Sequence, residues 1–502
     1  MQLLLNKTSL EVVNPQPDTT LLNWLRDSQH LNATKEGCAV GDCGACTVIV
    51  GHLKEGAIHY ESVNACIAML GSLHGCHVIT LDSLQSQTLH PVQKALVDCH
   101  ASQCGFCSPG FVMSLVVWWL NTPANSLTTP AQFNQHRHGV ELALSGNLCR
   151  CTGYAPILKA ADQLAPLDRS TDPLFSELGG YDYCLAQLQA MASAAPNQPL
   201  YQTPNNTHEL ALAYEANPSA KLVAGSTDLA LGITHGLAHM PHLIDITKVK
   251  ELQLLEVIDN QLHIGASVTL SALEQLCLTQ WPMLASYLAR FASRQVRNRA
   301  TLVGNIANSS PIADMPPLLL VMGAQLVLEG VNKQRTIALE QFNLAYKETA
   351  LAGDEFIHKV IMPLPDRPDR PDRPDRPDRP DALGVQEGQN SQAKKQQVFI
   401  EKVSKRFEDD ISAACVALNI ITQNNTITHI KIACGGMAAT PKMAQVTQSQ
   451  LLGQTLSIEL INQVPMWLSQ DYQPIDDMRA SAAYRSQVTA NLVQGFLKEA
   501  ML

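Results

Sequence analysis

The first 85 residues alternate short apolar, β-rich runs with glycine turns, and the run Thr47-Val-Ile-Val50 predicts a buried strand. From residue 86 to 165 the pattern becomes helical. Gln93-Lys-Ala-Leu-Val-Asp98 predicts one helix and the apolar run 111–120 another, with Pro109 suited to its first turn, where a missing N–H costs nothing. That run is half of the roughly 20 apolar residues a membrane span needs, so it predicts a core helix. Residues 166–200 are rich in Ala, Pro, Gln and Ser and predict a linker. A new pattern begins at Tyr201, with a turn at Pro204 and Thr207 and a helix around residues 209–214. Residues 221–229 then predict a strand, a tight turn and a helix start.

A Pro-Asp-Arg repeat occupies residues 365–381. Proline at every third position lacks the N–H groups of a sheet and favours extended chain. The opposite charges nearly cancel, so the repeat predicts a solvated, disordered spacer between two strands; a partner-binding arm is the sharper alternative. The length of 502 residues suggests about three or four domains, and a hydrophobic content of 46% can bury real cores. A net charge of −10 is mild for this length, and there is no basic stripe. Nucleic acid and anionic membrane are therefore poor partners.

Eight of the 14 cysteines fall in two sets within the first 151 residues. Cys38-x4-Cys43-x2-Cys46, followed by Cys66, has the spacing of plant-type 2Fe–2S ferredoxins. Gly37, Gly41 and Gly44 allow the loop to turn sharply and let N–H groups approach the sulfurs. Four thiolates also suit Zn²⁺, but this spacing and its glycines favour iron. The second set is Cys104-x2-Cys107 with Cys149-x-Cys151. Cys104 and Cys107 would lie at the N-terminus of the apolar helix, where the dipole favours thiolates. Composition leaves zinc and cluster open for this set, and the neighbouring ferredoxin-like loop favours iron. Two such centres in one short stretch point to electron transfer.

Nothing at the N-terminus resembles a signal peptide, and cytosolic thiols stay reduced, which disfavours a disulfide framework. Cys76, Cys99, Cys184, Cys277, Cys415 and Cys434 are scattered without ligand spacing and predict buried packing residues. None of the 16 histidines sits in a metal-like motif, and no catalytic side chain is assigned.

The segment Leu222, Val223, Ala224, Gly225, Ser226, Thr227, Asp228, Leu229 offers a glycine for close backbone approach, two hydroxyls, and turn N–H groups suited to a pyrophosphate. A purely structural strand-to-helix turn reads the same way. The absence of G-x-G-x-x-G and Walker A patterns disfavours a Rossmann-type site. The charged run 402–410 would ordinarily be a solvated face.

The strings GCAVGDCGACTV, NACIAML, QCGFCSPGF and NLCRCTGY are followed in order by LVAGSTDL, VRNRATLVGNIANSSPIAD, KVSKRFEDDISA, CGGMAATPK and DMRASAAYR. On these the chain resembles, nearly end to end, the iron–sulfur/FAD subunit of the xanthine dehydrogenase family within the molybdenum hydroxylases. The resemblance implies an α+β multidomain fold. Its parts are a β-grasp 2Fe–2S ferredoxin domain over 1–85, a helical-bundle 2Fe–2S domain over 86–165, a non-Rossmann α+β FAD-binding domain over 201–385 and an α+β C-terminal flavoprotein domain over 396–502. It implies two 2Fe–2S clusters on the eight cysteines, FAD, NAD⁺ as acceptor, and a molybdenum cofactor held only by a molybdopterin-binding large subunit. A cytoplasmic heterotetramer oxidising hypoxanthine and xanthine to urate is the implied assembly. Electrons would pass from molybdenum to the second cysteine set, then the first, then FAD and NAD⁺.

By the same resemblance, residues 222–229 form the FAD pyrophosphate loop, and Thr301, Leu302, Val303, Gly304 and Asn305 a second flavin loop. Phe291, Asp314, Ile357 and Lys402 fall at the remaining flavin positions, and residues 406–410 approach the flavin ring. One departure is visible: Val303-Gly304-Asn305 stands where the family usually has Gly-Gly-Asn, which removes close backbone approach at the first position. The alternatives are the same subunit in a hydroxylase for another N-heterocycle or aldehyde, and a zinc-stabilised binding scaffold.

Overall fold

Side chains alternate across a strand, and in Thr47–Lys54 both directions are buried. Val48 and Val50 enter one core with Leu21, Leu22 and Leu25, while Ile49 enters a second with Phe111, Leu115 and Trp119. This double burial explains the unbroken apolar run. The computed structural model describes residues 1–85, 88–122, 130–164, 173–192, 198–365 and 394–502. Residues 366–381 of the repeat lie outside them.

The first sheet runs Thr8–Glu11, Gln2–Leu5, His77–Ile79, Thr47–Lys54, Ala57–Asn64. Gln2–Leu5 is parallel to His77–Ile79 and the other pairs are antiparallel. The helical segments Leu21–Asn23 and Trp24–Ser28 bury Leu21, Leu22, Trp24 and Leu25 against one face, giving the expected β-grasp arrangement. The helix Ser108–Asn121 lies on the opposite face with Pro91–Asp98, Pro130–Leu144 and Ala155–Leu164 around it. It is apolar nearly all round because sheet and helices enclose it.

Residues 166–200 are not simply a linker. Helices Pro173–Glu177 and Tyr181–Ala192, with Leu178 in the turn between them, bury Leu174, Leu178, Cys184, Leu188 and Met191 in the same core as Phe111. Composition misled here because Ala and Gln are also good helix formers. Cys184, Leu188 and Met191 have the spacing of one helix face.

Next comes a small parallel sheet, Tyr201–Gln202, Leu243–Asp245, Lys221–Val223, beside an antiparallel sheet ordered Lys333–Ala338, Gln325–Gly330, Phe356–Pro363, Gln261–Gly265, Leu255–Ile258. The C-terminal part is an antiparallel sheet, Lys395–Val403, Ala414–Gln423, Thr426–Gly435, Lys442–Met443, covered by Val464–Asp471 and Ala482–Ala500. The repeat therefore joins strands of two different sheets, Phe356–Pro363 and Lys395–Val403. All six scattered cysteines are buried. Among the described residues no helix is long and apolar enough to cross a membrane.

Candidate functional site

The hairpin of Thr47–Lys54 and Ala57–Asn64 pairs Thr47 with Asn64, so Cys46 and Cys66 emerge side by side and buried. The Ala65 N–H donates to the Cys46 carbonyl at 3.2 Å. Cys38 and Cys43 come from the loop before this hairpin. The N–H groups of Val40, Asp42 and Cys43 point at Cys38 Sγ from 3.5, 3.3 and 3.3 Å. Cys38 touches the thiols of Cys43 and Cys66, and Cys66 also touches Cys46. Hydrogen bonding from Cys43 holds the Cys38 thiol far below its usual range, while the same contact pushes Cys43 up and contact with Cys38 pushes Cys66 up. Four thiols this close cannot all ionise without a cation among them, so the donor set fits a metal centre.

The second set forms two sulfur contacts, Cys104 with Cys151 and Cys107 with Cys149. Cys107 is the N-cap of Ser108–Asn121, and burial, then Cys149, pushes its thiol up to about 12. Burial also raises Cys149, but the Thr152 hydroxyl at 3.1 Å and N–H at 3.5 Å outweigh it and lower that thiol. Among the described residues, in the first set as in this one, no three His, Cys, Asp or Glu side chains close on one point as a single ion requires, and the sulfurs meet pair by pair. Sulfurs grouped in pairs suit a centre holding two metal ions. Cys104 and Cys151 are exposed, whereas Cys149 is buried.

The two sets meet directly. The N–H of Leu148, next to Cys149, donates to the carbonyl of Cys43 at 3.0 Å. Asn147 Nδ2 donates to the Gly44 carbonyl at 3.1 Å. Gly44 has φ +67°, and a Cβ there would lie 2.3 Å from the Gly146 carbonyl oxygen. Only glycine fits.

The 222–229 segment forms the expected strand Lys221–Val223, a turn, and the helix Leu229–Thr234. A Cβ on Gly225 would lie 1.7 Å from the carbonyl oxygen of Arg299. The close approach expected there is thus made by the chain itself, and it joins this turn to the start of the helix Leu302–Ala307, which stands in place of the expected 301–305 loop. Among the described residues, the N–H groups of Gly225, Ser226, Thr227 and Asp228 reach no backbone acceptor. The Ser226 hydroxyl, expected to face a pyrophosphate, instead donates to the Ile67 carbonyl at 2.6 Å, beside Cys66. Thr301 caps Leu302–Ala307 by accepting from the Gly304 N–H at 2.9 Å.

Leu302 and Val303 are buried in the core with Ile306 and Ile357, so Val303 fills space where a glycine would leave a gap. Phe291 packs half-buried against that core. Asn305 Oδ1 is buried without a partner. This orphaned acceptor and the four open N–H groups are polar groups that a bound nucleotide could satisfy. Asp314 and Lys402, expected separately, form a buried ion pair at 2.6 Å. Lys402 Nζ also donates to the Asp410 carbonyl at 2.8 Å and the Arg290 carbonyl at 3.3 Å, and the Ser412 hydroxyl donates to Asp314.

The 402–410 run is no solvated face throughout, because Lys402 and Asp409 are buried. Arg406 pairs with Asp42, between Cys38 and Cys43, at 3.0 Å. The His235 ring contacts the Cys38 carbonyl at 3.0 Å. Burial, then the Asp42 charge, pushes the Asp409 carboxyl up to about 8. The segment expected beside a flavin therefore reaches the first cysteine loop. His235 and Gln295 carry no local sequence signal, and Asn147 stands in the NLCRCTGY string with nothing local to mark its side chain; only tertiary contact singles the three out.

Four family profiles match the chain in order: a 2Fe-2S iron-sulfur cluster binding domain over 3–70, a 2Fe-2S binding domain over 80–162, the FAD binding domain in molybdopterin dehydrogenase over 192–365, and the CO dehydrogenase flavoprotein C-terminal domain over 400–500. A xanthine dehydrogenase of Drosophila subobscura is 31% identical across 90% of this chain and 35% of its own length. One from Emericella nidulans is 29% identical across 89% of this chain and 35% of its own. The chain thus spans about a third of the length of the curated relatives it matches. A solved carbon monoxide dehydrogenase from Hydrogenophaga pseudoflava, which lacks the Mo-pyranopterin moiety of its molybdenum cofactor, superposes with a TM-score of 0.50 at 26% identity, covering 60% of this chain and 96% of that one.

Proposed function

Because the chain belongs to the molybdenum hydroxylases as their iron–sulfur and flavin portion, we propose that it is the electron-transfer subunit of a xanthine dehydrogenase. In this reading hypoxanthine and xanthine are oxidised to urate at a molybdenum cofactor on a molybdopterin-binding large subunit, with NAD⁺ as acceptor and two copies of each subunit. When bound, the clusters supply one-electron chemistry and the flavin couples it to hydride release. The chain supplies ligands, spacing and electrostatics. Cys104, Cys107, Cys149 and Cys151 would hold one cluster and Cys38, Cys43, Cys46 and Cys66 the other. Residues 222–229 and 301–305, with Phe291, Asp314, Ile357 and Lys402, would hold FAD.

The observation that carries this reading is the direct contact between the two cysteine loops at Leu148 and Cys43, with Arg406 and His235 of the flavin side seated on the first loop and Ser226 bonded to Ile67, beside Cys66. Exposed Cys104 and Cys151 support docking of an electron donor on that side. The names of the Drosophila and Emericella relatives support the purine substrate.

The test is affinity purification of the tagged chain from its native host, followed by xanthine-dependent NADH formation. Activity together with a molybdenum-containing partner is expected. A molybdenum partner with inert xanthine would move the substrate to another N-heterocycle or an aldehyde. An eluate without iron, flavin or partner would overturn the reading.

A further inference from the structure

Residues 293–301 of the flavin side form a wedge between the two cysteine-bearing domains. Gly146 yields to this wedge: a Cβ there would lie 2.2 Å from Ser293 Cβ. Gln295 Nε2 donates to Asn147 Oδ1 at 3.0 Å and Ser114 Oγ at 3.1 Å, and lies 3.5 Å from Thr47 Oγ1. Ser114 Oγ donates to Asn147 Oδ1 at 2.8 Å. Further along the wedge, Asn298 donates to the Ser62 carbonyl at 2.9 Å and Arg299 to Ser72 Oγ at 2.8 Å.

Three domains meet in one hydrogen-bond cluster. Thr47 belongs to the β-grasp domain, Ser114 and Asn147 to the helical domain, and Gln295 to the flavin side. Gln295 is 0% exposed and the other three are 2% exposed. Packing alone does not call for glutamine here, since methionine has similar length and volume. A buried amide is costly where its hydrogen bonds are not made: Gln295 Nε2 makes its bonds while Oε1 is buried without a partner, and the bonds of Nε2 fix one arrangement of the parts they join. The network ends on the chemistry: Asn147 also donates to the carbonyl of Gly44, between Cys43 and Cys46, and lies two residues before Cys149.

We propose that Gln295 is a positioning residue for electron transfer between the two centres. From the flavin side it locks the Cys43/Cys46 loop against the Cys149/Cys151 loop. It acts through Asn147 and touches no ligand. This rests on the proposed function above, because it needs both centres to be redox clusters. Transfer between two centres falls steeply with their separation, so the seating of the flavin domain sets the rate between centres outside that domain.

The test compares full-length wild type, Gln295→Met and Ser114→Ala by iron and flavin content, thermal midpoint and low-temperature EPR after anaerobic reduction. Gln295→Met is expected to keep its iron and flavin but lose or narrow the magnetic splitting between the two reduced centres. Ser114→Ala, which removes one partner, should change it in the same direction by less. A purely structural role would lower the thermal midpoint and leave the splitting at its wild-type value, which would overturn the proposal. Should Gln295→Met fail to fold, Ser114→Ala decides: altered splitting supports the proposal and unaltered splitting refutes it. A wild-type protein without paired iron signals would overturn the proposed function itself, and this inference with it.

Discussion

The N–H of Leu148 donates to the carbonyl oxygen of Cys43 at 3.0 Å, so the residue beside one buried cysteine is bonded to a cysteine of the other set. The contact is backbone to backbone. Leu148→Ala should therefore leave the magnetic interaction between the centres intact, whereas Leu148→Pro, which has no N–H to donate, should weaken it. EPR of the two reduced variants checks this.

The cysteine sets should be separable. Cys43→Ser is expected to abolish one iron signal and Cys107→Ser the other, each leaving about half the iron, because each would remove one of the four thiolates proposed for a single centre. Loss of both signals from either variant would mean that the two sets fold as one site.

Gly225 cannot carry a side chain without displacing the Arg299 carbonyl 1.7 Å away. Gly225→Ala should part the 222–229 turn from the start of the helix Leu302–Ala307 and cost on the order of 3 kcal/mol. Flavin absorbance should fall while iron content stays near wild type.

The Lys402–Asp314 pair is buried, with side-chain exposures of 1% and 10%. Lys402→Met leaves the Asp314 carboxylate without its cation and should destabilise the protein by roughly 3–5 kcal/mol. Lys402→Met with Asp314→Leu removes both charges and should recover much of that loss in thermal denaturation.

Asp409 sets a pH dependence. Its carboxyl rises from an ordinary 3.8 to about 8 in the folded protein. Between those values the unfolded chain releases a proton that the folded chain keeps. Stability from this group is therefore full below the lower value and is lost as pH rises towards 8. Asp409→Asn retains a side chain that tolerates its left-handed backbone, φ +49°. The variant should be more stable than wild type at pH 8, by several kcal/mol, seen as a higher thermal midpoint there, and should match wild type near pH 4.

The cysteine sites were legible because ligand spacing is local: Cys38, Cys43 and Cys46 share one loop, and Cys107 announces itself at a helix start beside Pro109. The strand Thr47–Lys54 and the helix Ser108–Asn121 were legible from apolar runs that both faces bury. The helices Pro173–Glu177 and Tyr181–Ala192 were not, since Ala and Gln serve linker and helix alike. Ser226 was found, but not where its hydroxyl points, because its partner Ile67 lies 159 residues away. Gln295 gave no signal at all. Its partners Asn147 and Ser114 are 148 and 181 residues distant, and a buried glutamine reads like a solvated one in sequence.

We propose that two distinct iron–sulfur centres and a flavin share this chain. Metal, sulfide and flavin analysis of anaerobically purified full-length protein, with low-temperature EPR after reduction, addresses it directly. Two separate 2Fe–2S signals of equal intensity together with bound FAD are expected. Stoichiometric zinc in place of iron, with no flavin, would show that this chain carries no electron-transfer centres.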